Sequence, residues 1–290
     1  MSDGAVTDQA RRSAVRATLE STVLYTVATA IALMFVYPFY WMLVSAFRSQ
    51  EAILSAPLRL IPEHLDLTAF QTIASIGGTP LSSFAFNSVV ITVLATAIGV
   101  CATGLGAYAL YRNPRLPLFT SVRYSFLLTI MYPHMLLVIP LYFVSYKLNL
   151  LGSTLGIILV MSLVPLIFFI FVQFFRSVPQ EMIEAARIDG ASEWQILTLI
   201  IVPIAKPVIL TATLVAFLLN WKQWFPVMVL STGPETYTLP VALISLNTEY
   251  GINFQATMAL STLTVVPVVI VFVLTQQRVM GSFMAGAVKG

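Results

Sequence analysis

Between Ser21 and Phe47 the chain runs for 27 residues without a charge, and five more such stretches follow: Leu67–Tyr111, Tyr124–Tyr146, Leu148–Phe175, Pro207–Trp221 and Gly251–Gln277. A helix needs about 20 predominantly apolar residues to cross the hydrocarbon core of a bilayer. The charge-free runs therefore predict an all-α integral membrane protein with about six transmembrane helices. The rest of the composition agrees. Charged residues are 9% of the chain and apolar residues 58%, against roughly 25% charged in an ordinary soluble domain. Mean hydropathy is +0.90. A soluble globule could not cover its surface with so few charges.

The spans are expected at about 21–47, 84–111, 124–146, 151–175, 204–228 and 254–277. The second run is long enough to hold a polar approach, Gln71 to Ser83, before its helix. The fifth reaches its length by passing through Lys222. A cytoplasmic segment 1–20 precedes the membrane domain (21–278), and a cytoplasmic tail, 279–290, follows it. The first run is longer than the roughly 7–15 apolar residues of a secretory signal, so it reads as a retained helix.

Lysine and arginine set the orientation. With the N-terminus inside, Arg11, Arg12, Arg16, Arg112, Arg115, Arg123, Arg176, Arg187, Lys206, Arg278 and Lys289 are cytoplasmic, and Arg48, Arg59, Lys147 and Lys222 are outside. Eleven against four is the positive-inside bias and puts both termini in the cytoplasm. The net charge of +3 and pI near 9.0 follow from this arrangement and call for no nucleic-acid partner. Cys101 is the only cysteine, so an intramolecular disulfide and a thiolate metal cluster are excluded.

The connection over 176–203 is built differently from the others. It carries Arg176, Glu181, Glu184, Arg187, Asp189 and Glu193, and two helix starts are written into it. Ser177 with Pro179 and Gln180 has the N-cap, early-proline and capping-box spacing, and Ser192 with Gln195 repeats it. Asp189-Gly190 between them predicts a helix stop, since glycine accepts the left-handed backbone that closes a helix. The segment reads as helix, tight turn, helix. Small residues Ala185 and Ala186 suit a face that nests into a partner. Glu184 and Asp189 can accept hydrogen bonds, and Arg187 can pair with them or with a partner's carboxylates.

Within this segment stand Glu184-Ala185-Ala186, three residues, Gly190, nine residues, then Ile200-Ile201-Val202-Pro203. The pattern resembles the EAA signature of binding-protein-dependent ABC permeases, with Val202 where leucine is usual. Further matches are Gly106-Ala107-Tyr108-Ala109-Leu110, Ile139-Pro140-Leu141-Tyr142, Phe174-Phe175-Arg176-Ser177-Val178-Pro179, Tyr237-Thr238-Leu239-Pro240 and the ending Ala285-Gly286-Ala287-Val288-Lys289-Gly290. Together they are similar to the second permease of maltose-type, carbohydrate-uptake importers, of the ABC type I importer permease fold. One departure stands out: the family's Trp-Asn pair followed by an acidic residue is here Trp221 followed by Lys222-Gln223-Trp224.

The resemblance implies a multi-pass protein of the bacterial inner membrane that moves a sugar or sugar-like solute. Its implied partners are a second permease in a heterodimer, two ATPase subunits, a periplasmic or lipid-anchored sugar-binding protein and membrane lipid. It implies that Glu184, Ala185, Ala186, Arg187, Asp189 and Gly190 dock on the ATPase. The external segment 232–255 would meet the binding protein. The chain has no G-x-x-x-x-G-K-[ST], hence no phosphate-cradling loop of its own. No enzyme activity and no cofactor are expected in it, ATP and Mg belonging to the partner ATPase. Asn87, His134, Asn220, Trp221, Lys222 and Trp224 are the polar or aromatic candidates for the solute pathway. Two readings stand for these: His134 as a packed ring on a proline-freed carbonyl, and the tryptophans as interfacial anchors. The intramembrane prolines likewise read as packing kinks or as hinges. An ion-coupled secondary transporter is the alternative. It predicts intramembrane carboxylates and an inverted repeat, and neither is visible.

Overall fold

The computed structural model describes residues 3–113, 117–131, 134–249 and 253–287, with side chains left out for 1–18, 114–120, 123, 132–135, 248–252 and 277–290. In chain order the helices are α1 (Asp3–Ser45), α2 (Gln50–Ser55), α3 (Thr68–Ile73), then a two-stranded hairpin β1 (Ser75–Ile76) and β2 (Thr79–Pro80). There follow α4 (Leu81–Arg112), α5 (Pro117–Met131), α6 (His134–Lys147), α7 (Thr154–Met161), α8 (Pro165–Arg176), α9 (Gln180–Ile188) and α10 (Glu193–Gln195). The chain ends with α11 (Val202–Trp221), α12 (Phe225–Leu230), α13 (Leu239–Glu249) and α14 (Phe254–Ala287).

Among the described residues, four helical stretches are long and apolar enough to cross a membrane: 19–45, 81–112, 193–221 and 254–276. Two helix pairs, α5 with α6 and α7 with α8, bring the number to six if each counts as one span. Helices prevail because hydrocarbon offers no partner to a backbone N–H or C=O, and a helix satisfies both within itself. The β1–β2 hairpin, paired Ser75 to Pro80 and Ile76 to Thr79, is the only sheet among the described residues.

The chain divides into two compact units. The first holds residues 1–71 and 253–262. In it the segment after α1 folds back on the helix end through hydrogen bonds to its carbonyls. Tyr40 Oη donates to Leu60 O at 2.8 Å, and Trp41 Nε1 donates to Pro57 O at 2.6 Å. Arg48, only 2% exposed, donates to Ala56 O at 2.7 Å, to Arg59 O at 3.2 Å and to Ala52 O. Its charge is thus met by carbonyl dipoles at the end of α2, which is where a helix is most negative.

The second unit holds 72–252 and 263–290, and α4 is its axis. The helix packs on α7, α8 and α11. Close approach is possible where side chains are small, the usual device for helices that gain nothing by hiding apolar surface from lipid. A Cβ on Gly99 would overlap the carbonyl oxygen of Ser162, and one on Gly104 would stand 3.3 Å from the Phe171 ring. A core of Phe168, Phe171, Phe175, Ile167, Ala212 and Ala216 fills the space between α4, α8 and α11.

The stretch expected as one helix over 151–175 is broken. α7 ends at Met161, α8 starts at Pro165, and the two are bent by 43°. Pro165 cannot donate to the carbonyl four residues back, so the ladder stops there. The stretch expected over 124–146 is likewise two helices, on either side of Tyr132 and Pro133, which lie outside the described residues.

The Gly99–Ser162 contact carries a test. Gly99→Ala lowers the thermal midpoint of the detergent-solubilised protein, by about 1–3 kcal/mol of overpacking. Gly106→Ala, with no atom within 4 Å of the added Cβ, leaves the midpoint unchanged or raised. Equal midpoints for the two variants contradict this packing.

Candidate functional site

The segment 176–203 is a structured elbow. α9 has a buried side, Ile183 fully enclosed with Met182 and Ala186 beside it on the core of the second unit. Glu184, Ala185, Arg187, Ile188, Asp189 and Gly190 are exposed. Of the two alanines expected to nest into a partner, Ala186 faces the chain's own core and Ala185 faces outward.

α9 ends as the Asp189-Gly190 pair predicts. Gly190 has φ +82°, in the left-handed region. The Ala191 amide donates to Ala186 O at 3.0 Å and the Gly190 amide to Arg187 O at 3.1 Å. These are the paired bonds of a Schellman cap, and they use carbonyls that would otherwise be left over. The next helix begins with the expected capping box. Ser192 Oγ accepts from the Gln195 amide at 3.3 Å, and Gln195 Oε1 accepts from the Ser192 amide at 2.8 Å.

One feature of this segment differs from expectation. Ser177 does not cap α9: its hydroxyl donates back to Phe174 O at 2.7 Å, and α9 starts after Pro179 with no side-chain cap. Proline supplies a preset φ and needs no donor partner, so the start is made without a hydroxyl. The second helix grows apolar and runs on toward the fifth span, expected at 204, without a break. α10 passes through a π-helical turn, Ile196–Ile201, directly into α11. Pro203 explains the wide turn: its ring would strike the Leu199 carbonyl in a regular α-helix, and a π-turn moves that carbonyl aside. The elbow and the fifth span are therefore one helical rod.

The end of α4 holds both limbs of the elbow. Tyr111 Oη donates to Val178 O at 3.0 Å, and its ring stacks on Phe175 with centroids 5.7 Å apart. Arg112 donates to Glu193 from Nη2 at 2.9 Å and from Nε at 3.3 Å, and Arg187 donates to the same carboxylate. Glu193 thus joins the α4 end, the last turn of α9 and the first turn of the rod. It also lies where a helix N-terminus favours a negative charge. Neither Arg112 nor Glu193 could be singled out in advance, because they are 81 residues apart in sequence. Two large apolar side chains flank the turn in the open, Ile188 at 86% exposure and Trp194 at 70%.

The pathway candidates lie elsewhere. Asn220, 3% exposed, donates to Thr96 Oγ1 at 3.2 Å. Trp221, 5% exposed, donates from Nε1 to Thr264 O at 3.0 Å and stacks on Phe217. Asn87 donates from Nδ2 to the carbonyls of Glu235 (2.6 Å) and Tyr237 (3.0 Å). These three hold helices and loops of the second unit together. Lys222, which closes α11, is exposed, and Trp224 is 36% exposed. His134 opens α6, and its side chain lies outside the described residues. Lys222 stands directly after the apolar stretch 193–221, at the helix end where the dipole favours a cation.

Apolar helices, bent helix pairs and an elbow continuous with a span define a multi-pass membrane protein. Residues 99–280 match the family described as binding-protein-dependent transport system inner membrane component. The chain belongs to that family. It is 30% identical to the diacetylchitobiose uptake system permease protein DasC of Streptomyces coelicolor, over 88% of this chain and 92% of that one. It is also 30% identical to the lactose transport system permease protein LacG of Rhizobium radiobacter, over 95% and 98%. Its fold is similar to a crystal structure of a bacterial ABC transporter involved in the import of the acidic polysaccharide alginate. The TM-score is 0.76 at 23% identity, over 90% of this chain and 96% of that one. The chain is accordingly an ABC importer permease of the inner membrane, and it works with an ATPase and a binding protein.

Glu193→Gln weakens both ion pairs, and exposed pairs contribute about 0.2–1 kcal/mol each. Amide hydrogen exchange over 180–195 is then about 2- to 30-fold faster for the two pairs together, while Glu184→Gln, outside the clasp, leaves it unchanged. Identical exchange in both variants rules out a clasp at Glu193.

Proposed function

We propose that the chain is one of two permeases in a heterodimer that carries a sugar or sugar-like solute inward, powered by two ATPase subunits. Both its ends are then cytoplasmic, as the eleven-to-four distribution of basic residues favours. The observation that carries the reading is the elbow: an EAA-type helix, closed at Gly190 and clasped to α4 through Glu193, that continues as the rod of α11. The carbohydrate part rests on what DasC and LacG are named for.

The exposed face of the elbow, with Glu184, Ala185, Arg187, Asp189 and Gly190, seats in the ATPase. Ile188 and Trp194 add apolar area to that contact. Closure of the ATPase dimer pushes the elbow, and the helix that runs from Glu193 to Trp221 carries the displacement toward the spans. The spans then exchange between two rigid-body arrangements, open to one side or to the other. Glu193 lets α4 follow α11 instead of parting from it. His134, Lys222 and Trp224 are assigned to the pathway. Asn220, Trp221 and Asn87 shape it from behind through the bonds they make. The binding protein delivers the solute at the opposite end, where α13 and the loop before it lie.

The test is at the turn. Gly190→Lys forces a side chain into the left-handed region, at about 1–2 kcal/mol for an L-residue, and places a bulky cation on the docking face. Membrane insertion and the amount of protein stay as in the wild type, and ATP-dependent uptake falls at least tenfold. Gly190→Asn, which tolerates that backbone, retains more uptake than the lysine variant. Undiminished uptake by the lysine variant would show that the turn is not a point of contact.

A further inference from the structure

In the first unit, the segment that follows α1 presents apolar side chains outward at a density that water does not favour. Leu54, Leu58, Leu60, Ile61, Leu65 and Leu67 are between 43% and 79% exposed, while Ile53 beside them on α2 is buried. The backbone beneath them is bonded as a medium poor in water requires. Tyr40 Oη and Trp41 Nε1 donate to Leu60 O and Pro57 O, and Arg48 donates to the carbonyls of Ala52, Ala56 and Arg59. The carbonyls of 52–60 are thus met largely by side chains from residues 40–48, and Pro57 and Pro62 have no amide donor to satisfy. A loop in water needs no such provision. Irregular backbone that approaches hydrocarbon does.

Two further observations favour lipid over a protein as the occupant. The patch adjoins a surface of the same kind: the Tyr40 and Trp41 bonds lay 57–60 against the last turns of α1, whose Phe35, Val36, Phe39 and Leu43 also stand exposed. The exposed side chains are all leucine or isoleucine. Contacts between proteins draw their energy mainly from Trp, Tyr and Arg, with Leu under-represented, and the one arginine within the patch, Arg59, is already paired with Glu63. The position along α1 agrees. The apolar stretch 19–45 has 27 residues, about 40 Å of helix, which matches a bilayer with its headgroup layers. Residues 57–60 lie beside Tyr40 and Trp41, about 6–8 Å before the end of that helix. Tyrosine and tryptophan are themselves enriched where headgroups meet acyl chains.

We infer that residues 54–67 form an interfacial anchor, with Leu54, Leu58, Ile61 and Leu65 entering the boundary between headgroups and acyl chains in the leaflet where α1 ends. In the orientation proposed above this is the outer leaflet. The anchor sets the depth of the α1 end without spanning the membrane. It works through acyl chains and not through headgroup charge: Arg59 is paired with Glu63, and the other ionisable residues of 51–66 are Glu51, His64 and Asp66, which give no basic excess.

The complete importer, carrying Cys101→Ala and either Leu58→Cys or Ile61→Cys, is labelled with an environment-sensitive fluorophore and reconstituted in phosphatidylcholine vesicles. Gln180→Cys, exposed at the start of α9, is the reference. Phosphatidylcholine bearing a nitroxide near its headgroup quenches the labels at 58 and 61 at least twofold more strongly than the label at 180. It also quenches them more strongly than phosphatidylcholine with the nitroxide at the chain end. Added phosphatidylglycerol changes neither result. Quenching by aqueous iodide in place of lipid overturns the inference, and so does lipid quenching that appears only with phosphatidylglycerol. Labels shielded from both lipid and iodide assign the patch to the second permease, or to the binding protein if the shielding arises only on its addition, and overturn it as well. Failure of the labelled chains to assemble does the same, since side chains that face lipid are not needed for contacts between subunits.

Discussion

A backbone immersed in hydrocarbon must supply both halves of every hydrogen bond, and the architecture of this chain follows from that demand. With 9% of its residues charged, the chain has little to offer water except at helix ends and in one connection. Apolar helices fill the spans; at Pro165 the ladder is interrupted and the chain breaks into two shorter helices, whereas Pro38, Pro140, Pro207 and Pro267 stay inside continuous helices. The same demand explains the polar residues inside. Asn220 is bonded to Thr96, Trp221 to Thr264 and Asn87 to two carbonyls. A buried group left without such a partner destabilises a fold by about 1–3 kcal/mol.

Polar material is concentrated in the elbow, and there it has mechanical consequences. A Schellman turn, a capping box and a two-arginine clasp make a short amphipathic segment rigid. The π-turn before Pro203 then makes it continuous with α11. In the proposed function, force applied at Gly190 passes to the helix that begins at Glu193 and, through the Glu193–Arg112 pair, to α4. Lys222 stands at the far end of that helix.

Much of this was legible in the residues. Charge-free runs locate the apolar helices because desolvating a charge is expensive whatever the packing. Asp189-Gly190 and Ser192 with Gln195 are local devices whose partners lie within a few residues, and both form as read. Ser177 failed as a cap because the same spacing also fits the end of the preceding helix, which won its hydroxyl. What was not legible is who faces whom. A span that is apolar all round has no polar face to orient it, so the inward side of α4 is decided by glycines and threonines that look unremarkable in sequence. Contacts such as Arg112 to Glu193, or Asn220 to Thr96, join residues 81 and 124 apart, and no spacing rule reaches that far.

The central claim is that the elbow is held by the ATPase while the solute moves. A photo-crosslinking residue at position 188, exposed beside the turn, tests it in the working importer, with position 210 on the span as the reference. The account predicts an adduct with the ATPase subunit from position 188 that depends on the assembled complex, and none from position 210. Import continuing in full while position 188 captures no ATPase would contradict it.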